Sequence, residues 1–205
     1  MSHSLHRYGT YESLKNDYCI YARCAKGVNR DHPGDKLRKI LSIYLSEEYV
    51  NFGSSHAGKN ILNGLEPEEY AKTLDNSYGI ISTFAKRSAV AGVLKKIRDA
   101  ELGVSIVVSG LIDQVVDIAR ECNLKPHTAT LSLGIYGDRS LLAKGETLMI
   151  TTMCGHSQVG TNLVESVREK VKNKQLTPEE AARILSKPCP CGIFNTVRCA
   201  ELIGK

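Results

Sequence analysis

Apolar positions along this chain change period several times, and each change marks an element. Tyr18-Cys19-Ile20-Tyr21-Ala22-Arg23-Cys24 is short and rich in aromatic and aliphatic residues, and reads as a first strand. Asp35 to Glu47 then puts Leu37, Ile40, Leu41, Tyr44 and Leu45 on one helical face. Tyr49-Val50-Asn51-Phe52 predicts a second strand ending at Gly53, and Glu66-Pro67 opens a short helix. Tyr78 to Phe84 reads as a strand, followed by a helix that Ser88 is expected to cap, with Val90, Val93, Leu94 and Ile97 inward. Val104 to Val108 is the clearest strand. A helix from Leu111 to Cys122 follows, with Ile112, Val115, Val116 and Ile118 inward, and Thr128 to Ile135 reads as a further strand.

This β-α-β-α-β run predicts an α/β architecture, with a mixed or parallel sheet and helices packed on it. Parallel and ferredoxin-like arrangements share the same element order and stay open. The character changes after Leu148-Met149-Ile150. Thr161 to Lys174 is an amphipathic helix, Thr177-Pro178-Glu179-Glu180 is a capping box, and Asn195 caps a last helix ending at Gly204. The expected division is an α/β domain over 1–150 and a helical, cysteine-bearing segment over 151–205 packed on it. No internal repeat stands out.

Composition narrows the class only slightly. The 205 residues are 42% hydrophobic and 24% charged, with no tryptophan and a net charge of +5. That balance does not indicate a nucleic-acid partner, since no basic stripe or tail accompanies it. The first residues lack the apolar stretch of a signal peptide, and no apolar run reaches the roughly 18 residues that span a bilayer. The expectation is a cytoplasmic protein with reduced thiols and no membrane contact.

That expectation changes the meaning of the seven cysteines, whose odd number also argues against a complete disulfide framework. Cys154-Gly155-His156 and Cys189-Pro190-Cys191-Gly192 are compact clusters, each before a predicted tail helix, where a helix N-terminus favours thiolates. Glycine and proline permit the bends that let such close ligands share one ion. Cys154, Cys189 and Cys191 are therefore the candidate ligands of a [4Fe-4S] cluster, held by three thiolates with one iron open. Zinc on Cys154, His156, Cys189 and Cys191 is the competing reading, and inert buried cysteines are the plain one. His156 is a candidate fourth ligand or acid–base group. Cys199 pairs with Ile203 on a helical face, which favours packing over ligation. Cys122 reads as a core residue, and Cys19 and Cys24 project to opposite faces of one strand.

Other chemistry is more diffuse. Gly53-Ser54-Ser55-His56-Ala57-Gly58-Lys59-Asn60 nearly spells a P-loop, but Asn60 stands where a magnesium-binding hydroxyl is needed. A glycine-rich turn in which Lys59 holds a smaller anion is the more modest alternative to a solvated turn. His6, Arg7, Lys26, Arg30 and His32 are further candidate anion contacts, and His127 is a candidate catalytic histidine at a strand start.

Three functions follow. One is an iron–sulfur enzyme whose open iron polarises a small anionic substrate in a lyase or hydratase step. Another is a non-catalytic zinc or iron–sulfur protein that transfers electrons or handles metal. The third is an α/β enzyme binding a phosphate ligand, with structural cysteines. A homo-oligomer or a protein partner is compatible with each.

Overall fold

The protein is described by a computed structural model over residues 7–205, so His6 lies outside the described residues. Five strands, β1 (Tyr18–Arg23), β2 (Tyr49–Ser54), β3 (Lys59–Asn60), β4 (Gly79–Phe84) and β5 (Ser105–Ser109), form one sheet in the order β3-β2-β4-β1-β5. Every pairing is antiparallel. The parallel alternative is thus corrected, and the reason lies in the crossovers. Helix α2 (Gly34–Leu45), in the chain between β1 and β2, connects strands separated by β4. Helix α4 (Arg87–Asp99) likewise connects β4 to β5 across β1. Each β-α-β unit interleaves with the other, as in ferredoxin-like sheets, so its two strands run alike without touching.

The remaining helices are α1 (Tyr11–Leu14), α3 (Pro67–Thr73), α5 (Ile112–Glu121), α6 (Gly145–Thr151), α7 (Thr161–Lys172), α8 (Pro178–Ser186) and α9 (Thr196–Ile203). The capping box at Thr177 and the Asn195 cap both form. Ser88 does not cap α4: Lys86 occupies that position, without a side-chain bond to the first turn.

Strand alternation sorts the core into two halves. Tyr18, Ile20, Ala22, Phe52, Ile80 and Phe84 pack with α2, α4 and Ile118 of α5 on one side of the sheet. Cys19 and Ile81 belong to the other core, with Ile150, Val164, Val167, Leu185, Phe194 and Leu202 from the tail helices and the last loop. Each side buries apolar area at about 25 cal/mol per Å². Cys19 and Cys24 do fall in opposite cores.

Thr128 to Ile135 departs most from expectation. It alternates apolar with polar residues, yet it has no regular structure and joins no strand of the sheet. A period of two specifies a pleat, but a strand also needs a neighbour to receive its backbone bonds. No helix among the described residues is long and apolar enough to cross a membrane.

Candidate metal centre

The turn between α8 and α9 is a buried loop, which is costly unless its backbone groups find partners. Side chains from three neighbouring strands provide them. Asn51 on β2, Thr83 on β4 and Cys19 on β1 are in register across the sheet and share its second face. The Thr83 hydroxyl donates to Gly192 O at 3.0 Å, and the Asn51 amide donates to Phe194 O at 3.3 Å. The Arg7 guanidinium donates to Ile193 O and, at 3.0 Å, to Cys19 Sγ. From β3, Asn60 Nδ2 donates to Cys189 O at 2.8 Å and Ser186 O at 2.9 Å. Four carbonyls of the Cys189–Phe194 stretch are thus held by buried side chains.

The loop also lies on β2 with no spare room. Gly192 has φ +69°, and a Cβ there would stand 2.1 Å from the carbonyl carbon of Phe52. A Cβ on Gly53 would meet Pro190 O at 2.2 Å. Only glycine fits at either contact, and at Gly192 only glycine takes the backbone angle without strain.

Behind the loop lies a buried ionic cluster. Asp17 accepts from Arg7 Nη1 at 2.7 Å, from Arg198 Nη1 at 2.8 Å and from Asn195 Nδ2 at 2.9 Å. Burial works against the Arg7 charge, but the Asp17 carboxylate outweighs it, with Cys19 and Cys189 adding to the effect, and the net shift is upward. Burial likewise lowers Arg198, which Asp17 offsets in part. The cluster ties the start of the described chain, β1 and α9 to one point.

Cys154, at the end of the turn after α6, and the pinned loop meet in a string of contacts. Cys154 shares one buried cluster with Cys189 and Cys191, and Cys189 Sγ is 3.9 Å from Cys191 Sγ. Cys191 Sγ is in turn 3.7 Å from Nδ1 of His156. Cys154, Cys189 and Cys191 are buried, whereas His156 is exposed. Hydrogen bonding from Cys189 draws Cys154 down to about 6 against the opposing effect of burial, with help from the Gln158 and His156 amides. Cys189 has one proton to give, and where it is given to Cys191 instead, that thiol is the one drawn to about 6, again against burial and with help from the Ile193 amide. Cys189, between them, keeps its proton: its pKa is raised by those bonds and by burial. As they stand, the groups form a string rather than a shell, and among the described residues no three His, Cys, Asp or Glu side chains are arranged to hold a metal ion.

The other candidates lie elsewhere. Cys199 is fully buried in α9, and burial pushes it up to about 12. Cys122 ends α5, and its thiol donates to Ala91 O at 3.5 Å. Lys26 and Arg30 follow the far end of β1 from Cys19, with Arg30 over the Tyr78 ring at 3.2 Å. His127 is exposed in the segment after α5. Lys59 is exposed at the start of β3, next to the buried Asn60. Arg7 has its guanidinium on Asp17, Cys19 and Ile193. In the sequence, Asn60 stood out only as the misfit in a P-loop pattern, and Asn51, Thr83 and Asp17 were passed over. Asn51 and Asp17 had a signal, as polar residues inside or beside apolar strand segments.

A two-cored α/β protein with a thiol cluster under its last loop is the class that fold and site define. Comparison with protein-family models, curated proteins and solved structures finds no match to this chain.

Proposed function

We propose that this is a metal-binding protein that holds one ion on Cys154, Cys189, Cys191 and His156, with zinc favoured by the donor set. The observation that carries the reading is that Cys191 touches both Cys189 and His156, with Cys154 in the same buried cluster and its thiol set first by Cys189. Zinc bonds of about 2.3 Å to sulfur and 2.0–2.1 Å to nitrogen put neighbouring donors roughly 3.5–3.8 Å apart. Touching side chains reach similar separations without an ion, so the identity of the four groups supports the reading more than the lengths do. The pinned Cys189–Phe194 loop leaves closure of the shell to thiol rotation and to the exposed Cys154–Gln158 turn. A closed set of four donors makes the role non-catalytic: fixing the tail onto the sheet, or handling metal.

A second reading has its own support. Only three thiols meet, so a [4Fe-4S] cluster here would keep one iron open on the side of His156, and the positive charge of Arg7 lies near Cys189. The open iron would supply Lewis-acid chemistry for a small anionic substrate in a lyase or hydratase step. His156 would then move the proton. This reading requires the sulfurs to spread, because each would bind a different iron. Metal and acid-labile sulfide analysis of protein purified without oxygen decides between the two. One zinc per chain without sulfide supports the first, iron with matching sulfide moves the assignment to the second, and metal-free protein after reconstitution with both rejects both.

A further inference from the structure

Residues 125–137 and strand β5 present two halves of a contact that the single chain leaves open. Among the described residues, no backbone–backbone hydrogen bond runs to or from 125–137. Residues 125–134 are all exposed, and the apolar positions of the stretch alternate: Ala129, Leu131, Leu133, Ile135. Leu131 is 63% exposed and Leu133 82%. Such a pattern belongs to a strand with one face covered. Isolated in water, it leaves large apolar side chains solvated. Among the described residues, the bonds its backbone makes are to side chains: Arg139 donates to Ile135 O, and Gly134 N donates to the Ser132 hydroxyl.

Strand β5 is the complementary feature. It ends the sheet with β1 as its single strand neighbour, and Val107 on it is 41% exposed. Open edges of this kind accept an added strand. The stretch is tethered at both ends, by α5 and α6, so it forms a loop-like arm of fixed reach.

We infer that residues 128–136 form a sixth strand on the β5 edge of a second copy of this chain, in a reciprocal two-fold exchange. A second copy is the occupant because one operation satisfies both arms and both edges and then closes. One-way addition would leave an arm and an edge exposed to propagate. Docking on the chain's own β5 is the competing geometry, but residues 125–134 stand exposed and, among the described residues, the stretch makes no backbone bond to that edge.

The experiment is amide hydrogen exchange on the full chain over a dilution series, with mass measured by light scattering. The expected result is a dimer in which the amides of 128–136 and the outer amides of β5 are protected together, and both lose protection on dilution. Replacing both leucines, Leu131→Ser with Leu133→Ser, should weaken the dimer about 1,000-fold or more, because the two-fold exchange buries four leucines, two from each copy. Three results would overturn the inference: arm protection independent of concentration in a monomer, which means docking at the chain's own edge; concentration-dependent protection of the arm without β5, which means arm-to-arm pairing; and an arm that exchanges freely at every concentration.

Discussion

Two of the stretches without regular structure differ in almost every physical respect. Cys189–Asn195 is buried, and its carbonyls are held by Asn60, Thr83, Arg7 and Asn51. Residues 125–137 have the alternation of a strand but, among the described residues, no backbone–backbone hydrogen bond. The first is irregular because its shape is dictated by what holds it, and the second because what would hold it is not on the same chain. Irregularity therefore means opposite things at the two places. A loop that commits four buried side chains to its main chain has a conformation worth fixing, and the thiols it carries are the reason offered here.

The sharpest way to break this contrast is to remove the anchor behind the loop. Asp17→Ala leaves Arg7 and Arg198 buried without their carboxylate, and such losses cost about 3–5 kcal/mol. Thermal unfolding should shift downward by roughly 10 °C. An unchanged transition would mean that the cluster does not fix the tail.

Asn60→Ala is the next largest. It strips the donor from two buried carbonyls, at about 2–3 kcal/mol, and should also lower metal affinity by freeing Cys189. Its neighbour provides the control: Lys59→Ala should stay within about 0.5 kcal/mol. Equal effects from the pair would refute the assigned role of Asn60. An anion-binding role for Lys59 would show separately, as weaker phosphate binding with unaltered melting.

A smaller effect concerns reactivity. In metal-free protein, alkylation of Cys154 and Cys191 should proceed near neutrality and fall away as pH drops through about 6, where their thiolates take up protons. Metal should be released over the same window, since protons and metal compete for the same sulfurs. Cys199, held up to about 12 by burial, should resist alkylation throughout. Peptide mapping of the modified chain distinguishes them.

Much of this was legible in the sequence. Helical faces such as Leu37, Ile40, Leu41 and Tyr44, and the caps Thr177 and Asn195, follow from local spacing, and local spacing is what a sequence states directly. Strand direction was not legible, because interleaved and adjacent β-α-β units have the same order of elements. The two cysteine clusters were visible as motifs, but the row formed by Asn51, Thr83 and Cys19 exists only once three strands are in register. Asn60 is instructive. It spoils a P-loop pattern, and the same side chain then serves as a clamp on Cys189 O.

Cobalt substitution tests the central claim most directly, because its spectrum reports both geometry and thiolate ligation. The account predicts that Co²⁺ added to metal-free protein gives a tetrahedral spectrum with thiolate charge-transfer bands. Cys189→Ser should abolish or strongly weaken those bands, His156→Ala should distort them, and Cys199→Ser should leave them intact. A six-coordinate spectrum without thiolate bands, or a loss in Cys199→Ser equal to that in Cys189→Ser, would contradict the assignment of the site.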